Sequence, residues 1–250
     1  MPGLRAALLG GLAALVLSTG MAAAQGSPAR MVRGQLVAWR NPVLASAIAG
    51  LVKRVPLRDG QTFAVGEVLV EIDCGAHQAR AQRAQAQQDR ARRQLAALNQ
   101  LDRRGATSHL ELGLAAIDVS AAEADLALAK LSVQQCIVAA PFAGQVVELK
   151  TRAGQYVREG DPLLEVVDHA SLEVEFLVPS TTLRWLNPGQ ALQARLVDLG
   201  RAITLRVARI GGRVDPVSQV IKVYASLPSE QASLVAGMAV EVQLPADGAP

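Results

Sequence analysis

The sequence predicts an elongated, multi-domain α+β protein, with a small β-sandwich split by an α-helical coiled-coil hairpin and followed by a small antiparallel β-barrel. Three observations carry this. Two stretches set 94 positions apart are copies: AGLVKRVPLRDGQTFAVGEVLVEI from Ala49 to Ile72, and AGQVVELKTRAGQYVREGDPLLEV from Ala143 to Val166. Nine of their 24 positions are identical, among them Gly50/Gly144, Gly60/Gly154, Gln61/Gln155 and Gly66/Gly160. A unit this short cannot bury its apolar face alone, so the copies are expected to pack on each other. Between them lies a segment of heptad-spaced small and apolar residues, and after them come short runs that alternate with period two.

Residues 1–24 read as an export signal. Arg5 supplies the positive start, Ala6 to Leu17 is apolar and uncharged, and Ala22-Ala23-Ala24 offers a small-x-small cleavage site before Gln25. The alternative is a retained anchor, because Ala6 to Ala24 is uncharged over nearly a spanning length. The Ala/Gly-rich composition and the cleavage site favour removal. The segment has no cysteine for lipid attachment, and nothing downstream is apolar and long enough to span a bilayer. The expectation is a soluble exported chain, long enough for one or two domains. A formal charge of +3 and 3% aromatic residues give little support for nucleic-acid binding or base stacking. Residues 25–41 form an N-terminal segment in which Val32 to Trp39 can supply one strand.

The half-units are expected at 42–73 and 137–168. Their Gly-Gln and Gly-Glu/Asp pairs, at Gly60, Gly66, Gly154 and Gly160, mark tight turns between short strands. Val52, Val55, Phe63, Val68 and Val70 are the expected core of the first, and Val146, Leu149, Val157, Leu163 and Val166 that of the second.

Residues 74–136 read as the hairpin. From Ala76 to Leu101 there is no Pro or Gly, and His77, Ala81, Ala84, Gln88, Ala91, Leu95 and Leu98 step by four and three. Gly105 can supply the positive φ that ends this arm. Ser108 to Glu111 reads as a reciprocal capping box opening the second arm. Its expected seam is Leu110, Leu114, Ile117, Ala121, Ala124, Leu128 and Leu131. Gly113 weakens it by about 1 kcal/mol relative to alanine. Each arm would extend roughly 39 Å. Residues 76–104 hold seven Arg against two Asp, whereas 106–135 hold four acidic residues against Lys130. The first reading of that asymmetry is attraction across the hairpin; the second is a basic face that meets another protein.

Residues 169–245 read as the barrel, and 246–250 as a tail. Leu172, Val174, Phe176 and Val178 alternate with outward positions, as do Ile203, Leu205 and Val207, then Ile221, Val223 and Ala225. Met238, Val240, Val242 and Leu244 form the last strand, entered through Gly237. Pro179 to Thr182 can cap one helical turn, and Asn187-Pro188-Gly189 is a turn. At least five short strands are expected.

This order of parts resembles the periplasmic adaptor (membrane fusion protein) family, HlyD-like and typical of RND efflux adaptors. Each half-unit is similar to half of a lipoyl/biotinyl domain. Ala49-Gly50, Gly60-Gln61 and Gly66-Glu67-Val68-Leu69 carry the likeness in the first half. In the second it rests on Ala140-Pro141-Phe142-Ala143-Gly144, Gly154-Gln155 and Gly160-Asp161-Pro162-Leu163. Val214-Asp215-Pro216 to Val223 and Leu234 to Met238 carry it in the barrel. The resemblance implies a non-enzymatic homo-oligomer that bridges an inner-membrane transporter, of RND or ABC type, and a TolC-type outer-membrane channel. It implies a location in the periplasm, peripheral to the inner membrane. Some members carry at the hairpin tip an Arg, then Leu four positions on, then Ser seven beyond. Leu101 and Ser108 fit the last two places, and Ala97 stands where the Arg belongs, with Arg93 or Arg104 as the candidate substitute. Leu101, Arg104, Gly105 and Ser108 are therefore the candidate channel-docking residues, although a helix cap accounts for Ser108 and seam packing for Leu101. Many members continue past the barrel into a membrane-proximal domain. The chain stops soon after Leu244, so that domain is expected to be absent or vestigial, which leaves transporter contacts to the barrel.

Cys74 directly follows the first half-unit and Cys136 directly precedes the second. If the repeats pack together, both lie at the hairpin base, one on each arm. Export places them in an oxidising compartment, so a Cys74–Cys136 disulfide is expected. The alternative is a metal site built from Cys74, His77 and Cys136, which lacks an evident fourth ligand. No catalytic, cofactor-binding or metal-binding residue is assigned.

Two other function classes compete. A lipoyl or biotinyl carrier needs a lysine at the turn joining the two halves, where this chain has the hairpin instead. None of Lys53, Lys130, Lys150 and Lys222 stands there. A periplasmic ligand-binding protein finds no positive support, since His77, His109 and His169 are scattered.

Overall fold

The computed structural model describes residues 30–228 and 234–245. The export signal expected at residues 1–24 and the tail at 246–250 lie outside them. In chain order the elements begin with β1 (Arg30–Ala38), β2 (Val43–Ala45), β3 (Gly50–Arg54), β4 (Thr62–Phe63) and β5 (Val68–Ile72). The helices α1 (Gly75–Asp102) and α2 (His109–Gln134) follow. Next come β6 (Ile137–Ala139), β7 (Gly144–Leu149), β8 (Tyr156–Val157) and β9 (Pro162–Val167). The last five are β10 (Leu172–Pro179), β11 (Ala191–Leu196), β12 (Arg201–Val214), β13 (Val220–Ser226) and β14 (Ala239–Leu244).

The sequence repeat becomes a repeat of topology. One four-stranded sheet has the order β2-β9-β7-β4 and the other β6-β5-β3-β8. Shifting the first half by the repeat interval turns each sheet into the other, and each contains strands from both halves. The registers match as well: Phe63 faces Gly144 across β4 and β7, and Val157 faces Gly50 across β8 and β3. Each half completes the other's turns. Gly60 N donates to Val146 O and Gly154 N donates to Val52 O, both at 2.8 Å. Gly66 N donates to Ala140 O, and its counterpart Gly160 N to Ser46 O, again at 2.8 Å.

Several identities of the repeat now have a physical reason. Gly60, Gly66, Gly154 and Gly160 adopt φ between 78° and 87°, where a side chain is strained. The Gln61 and Gln155 side chains accept from the backbone amides of Arg58 and Arg152, closing the same turn twice. Glu67 and Asp161 do likewise for Ala64 and Arg158. Nothing in the structure explains why Arg58 and Arg152 match.

The sandwich core holds most of the expected residues. Val52, Phe63, Val70, Val146, Val157, Leu163 and Val166 are buried, and Val55 and Leu149 pack at its edge. Leu69, Ile72 and Leu164, also fully buried, were not among the expected core. Strict alternation missed them because both sheets are so short that neighbouring positions are covered from the ends as well as the face.

The barrel closes in the order β1-β10-β13-β12-β11-β14. Leu172, Val174, Phe176, Val178, Leu205, Val223 and Val242 fill it. Its first strand comes from the N-terminal segment, with β1 paired antiparallel to both β10 and β14. Strand β11, which no alternation signal had marked, completes the ring. Two crossing segments join barrel to sandwich. Arg40 pairs with the buried carboxylate of Asp168 at 2.8 Å, Trp39 N donates to Ser171 O, and Asp168 N donates to Arg40 O. Asp168 also accepts from Ala170 N, capping a short helical turn, so its buried charge is fully engaged.

The hairpin corrects the sequence reading in one arm. The α1 seam is as expected: His77, Ala84, Gln88 and Leu98 are buried, and Ala81, Ala91 and Leu95 half-buried. On α2 the expected seam faces outward. Leu110 is 73% exposed, Ile117 64% and Leu128 66%. The stripe that meets α1 is Leu112, Ala115, Val119, Ala122, Leu126, Ala129 and Val133, all buried or half-buried. Both stripes step by three and four, so periodicity could not choose between them. Packing chooses the stripe of smaller side chains, because the alanine-rich seam of α1 buries most area when the helices approach closely.

Candidate functional site

Among the described residues, α1 and α2 contribute to neither core cluster, so the base and tip of the hairpin are the candidate sites. At the base, Cys74 and Cys136 are joined in a disulfide with Cα atoms 5.6 Å apart. Both sulfurs are thereby engaged, which removes the thiolates a metal site would need. Beside them His77 is 8% exposed, and its Nε2 lies 3.1 Å from Ala49 O. This ties the first turn of α1 to the sandwich. Among the described residues no group of three His, Cys, Asp or Glu side chains converges on a metal position.

An open cleft of about 700 Å³ lies at the same base, lined by Asp73, His77, Arg80, Tyr156 and Glu159 among others. Its charges are mixed, and the hydroxyl of Ser132 in its lining donates to Leu128 O. On the neighbouring sheet, Arg54 and then Lys53 hold the Glu71 carboxyl below its ordinary value. Lys150 pairs with Glu148 and Glu165, and Lys222 with Glu175. Lys53 and Lys222 are thus engaged on strands and Lys150 just past the end of β7, whereas a cofactor-carrying lysine must be displayed free at a turn.

At the tip, all four candidate docking residues are exposed and gathered into one turn. The carbonyl of Leu101 accepts from the amides of both Arg104 and Ala106, and Gly105 takes a φ of 68°. Leu101 is 41% exposed at the end of α1. Ser108 caps α2, its hydroxyl accepting from Glu111 N at 3.1 Å. The reciprocal half of the expected box is replaced: the Glu111 carboxylate accepts from the Thr107 hydroxyl at 3.0 Å. Ser108→Ala should cost about 1 kcal/mol locally. It should appear as faster amide exchange in the first turn of α2, with the barrel unchanged.

The family model described as "RND MFP, barrel-sandwich hybrid domain" matches residues 43–169. The chain belongs to the RND membrane fusion protein family. A second model, "CusB-like, beta-barrel domain", matches residues 173–248. Membrane fusion proteins are non-catalytic. An uncharacterised protein of Haemophilus influenzae is 29% identical over 201 residues, covering 80% of this chain and 53% of its own. The nodulation protein NolF of Rhizobium meliloti is 26% identical over 220 residues, covering 82% and 60%. The chain therefore spans between about half and three fifths of the length of these curated relatives. Among solved structures, a MacA–MexA chimera containing the Pseudomonas aeruginosa MexA α-hairpin domain superposes with a TM-score of 0.75. It is 18% identical, covering 87% of this chain and 81% of that one, and shows the shared fold. Among the described residues no helix of this membrane fusion protein is long and apolar enough to cross a membrane.

Proposed function

We propose that this protein is a periplasmic adaptor subunit of a tripartite efflux or secretion system, a homo-oligomer that bridges an inner-membrane transporter and an outer-membrane channel. The observation that carries this is the order of parts: a barrel-sandwich hybrid at 43–169 split by a hairpin, then a CusB-like barrel at 173–248. A fold of two paired helices set beside a split sandwich and a separate barrel is built to hold other proteins at a set distance. Both matching models belong to RND-type adaptors, which favours an RND transporter over an ABC system. The protein works in the periplasm at the inner-membrane face, where the Cys74–Cys136 disulfide persists.

The tip turn is the channel-docking element. Leu101 supplies exposed apolar surface there and Arg104 a charge that, among the described residues, has no ion-pair partner within 4.0 Å. Arg104 takes the part of the arginine displaced by Ala97, and Gly105 and Ser108 shape the turn that presents both. Photo-crosslinking from Leu101 and from the barrel surface in intact cells tests the reading. An outer-membrane channel is expected from the first position and an inner-membrane transporter from the second. Recovery of neither overturns the adaptor assignment.

A further inference from the structure

The two sulfurs of the Cys74–Cys136 bridge stand in different surroundings. Cys136 is 2% exposed and belongs to the sandwich core, and its carbonyl accepts from Ile72 N at 2.8 Å. Cys74 is half-buried and packs against the edge of that core. An open cleft of about 320 Å³ lies beside the bridge, where β3, β5 and β6 meet the hairpin base. Both cysteines line it, together with Lys53, Glu71, Gln78 and Ile137 among others. Lys53, Gln78 and Ile137 are exposed, so the cleft leads from solvent to the bridge.

A disulfide opens or closes only when an outside sulfur reaches one of its two atoms. The packed core around Cys136 denies that access, and the cleft grants it at Cys74. Cys74 is also the N-cap residue of α1, whose first turn holds no acidic side chain. The backbone N–H groups there favour negative charge on its sulfur once the bridge is open. Charge at the mouth is balanced: Lys53 is bonded to Glu71 at 2.7 Å, and Asp73 accepts from Gly75 N at 3.0 Å. Access rather than electrostatic steering therefore decides which sulfur reacts.

We propose that Cys74 is the exchange sulfur of this bridge, and that a dithiol oxidoreductase of the same compartment forms its mixed disulfide there, with Cys136 as the resolving cysteine. In closure, the Cys74 thiolate attacks the disulfide of the oxidised partner. A new sulfur–sulfur bond forms, the partner's own bond breaks, and its electron pair leaves on the partner's second sulfur. The Cys136 thiolate then attacks Cys74 Sγ and expels the partner's first sulfur. The chain has lost two electrons and two thiol protons, and the partner has become a dithiol. Opening by a reduced partner runs the same steps backwards, with attack at Cys74 and departure of Cys136. The inference goes beyond the adaptor reading and stands or falls apart from it. It also gives the hairpin a chemical control, since the bridge is what holds the two arms together at their base.

The oxidised, folded protein tests which sulfur is attacked. It is exposed briefly to reduced glutathione, quenched with a maleimide and mapped by mass spectrometry. Glutathione on Cys74 with maleimide on Cys136 should exceed the reverse pattern by about tenfold or more, because only Cys74 is open to the cleft. In urea, where both sulfurs are free, the ratio should fall to about one. A ratio near one in the folded protein, the reverse pattern, or adducts that form in urea alone overturn the assignment of Cys74. The partner is tested in intact cells with the two single variants. Cys136→Ala leaves Cys74 with no resolving cysteine and should accumulate a mixed disulfide with a dithiol oxidoreductase, visible on non-reducing gels and identified by mass spectrometry. Cys74→Ala should trap about tenfold less or nothing. Equal trapping by both variants, or trapping by neither, overturns the oxidoreductase site.

Discussion

Replacing both cysteines by alanine, Cys74→Ala with Cys136→Ala, is expected to lower the unfolding free energy by about 4 kcal/mol. The bridge spans a sequence separation of 62, the whole hairpin, so opening it returns a long loop to the unfolded ensemble. The arms have little else to hold them at the base. Six of the fourteen residues in their shared seam are alanine, and each alanine buries little area. Alanine is the informative replacement because Cys136 is 2% exposed within the sandwich core, where a serine hydroxyl would add its own penalty. Denaturant unfolding followed by circular dichroism measures the loss, and reducing the unmodified protein should reproduce most of it. Hydrogen exchange should rise in α1 and α2 before it rises in the barrel. Two free thiols in protein taken from the periplasm, or a variant as stable as its parent, would refute the expectation.

Gly144→Ala is expected to cost about 2–3 kcal/mol, and Gly50→Ala clearly less, although the two glycines occupy the same place in the repeat. A Cβ at Gly144 would stand 2.3 Å from Val167 O and 3.2 Å from the Phe63 ring. The first of these is backbone. Val167 pairs with Gln145 in the β7–β9 ladder and leads directly into Asp168, the partner of Arg40 at the barrel joint. It cannot yield without moving both. At Gly50 the nearest atom is the Ile72 Cγ2 methyl at 2.6 Å, a side-chain atom, and the nearest backbone atom, Asp73 O, stands at an ordinary 3.6 Å. Thermal unfolding of the two single variants decides the matter. Equal losses would mean that the strand backbone relaxes as readily as a methyl group.

The sandwich was legible because its signal is redundant. Gly60, Gln61 and Gly66 each recur at the same interval, and each closes the same turn in both copies. The barrel was legible where one face is buried, as in β10, where Leu172, Val174, Phe176 and Val178 point inward. It was not legible at β11, whose inward Leu192, Ala194 and Leu196 include an alanine too weak to stand out against Ala191 and Val197. The tip turn could be placed from sequence because Gly105 and Ser108 have local duties that short-range chemistry reveals, whereas Leu101 and Arg104 were candidates only through the family resemblance.

The sequence by itself determined the parts and their order: a unit written twice, two helices between the copies, alternating strands after them, and a cysteine at each seam. These follow from periodicity and spacing, which are properties of the chain. Only the tertiary structure decided that β1 closes the barrel, that each sandwich sheet mixes both halves, and which face of α2 meets α1. That last choice lay between two apolar rows of the same period, so no count along the chain could resolve it. It turned on how closely an alanine-rich helix lets its neighbour approach, a quantity that exists only once the two surfaces are brought together.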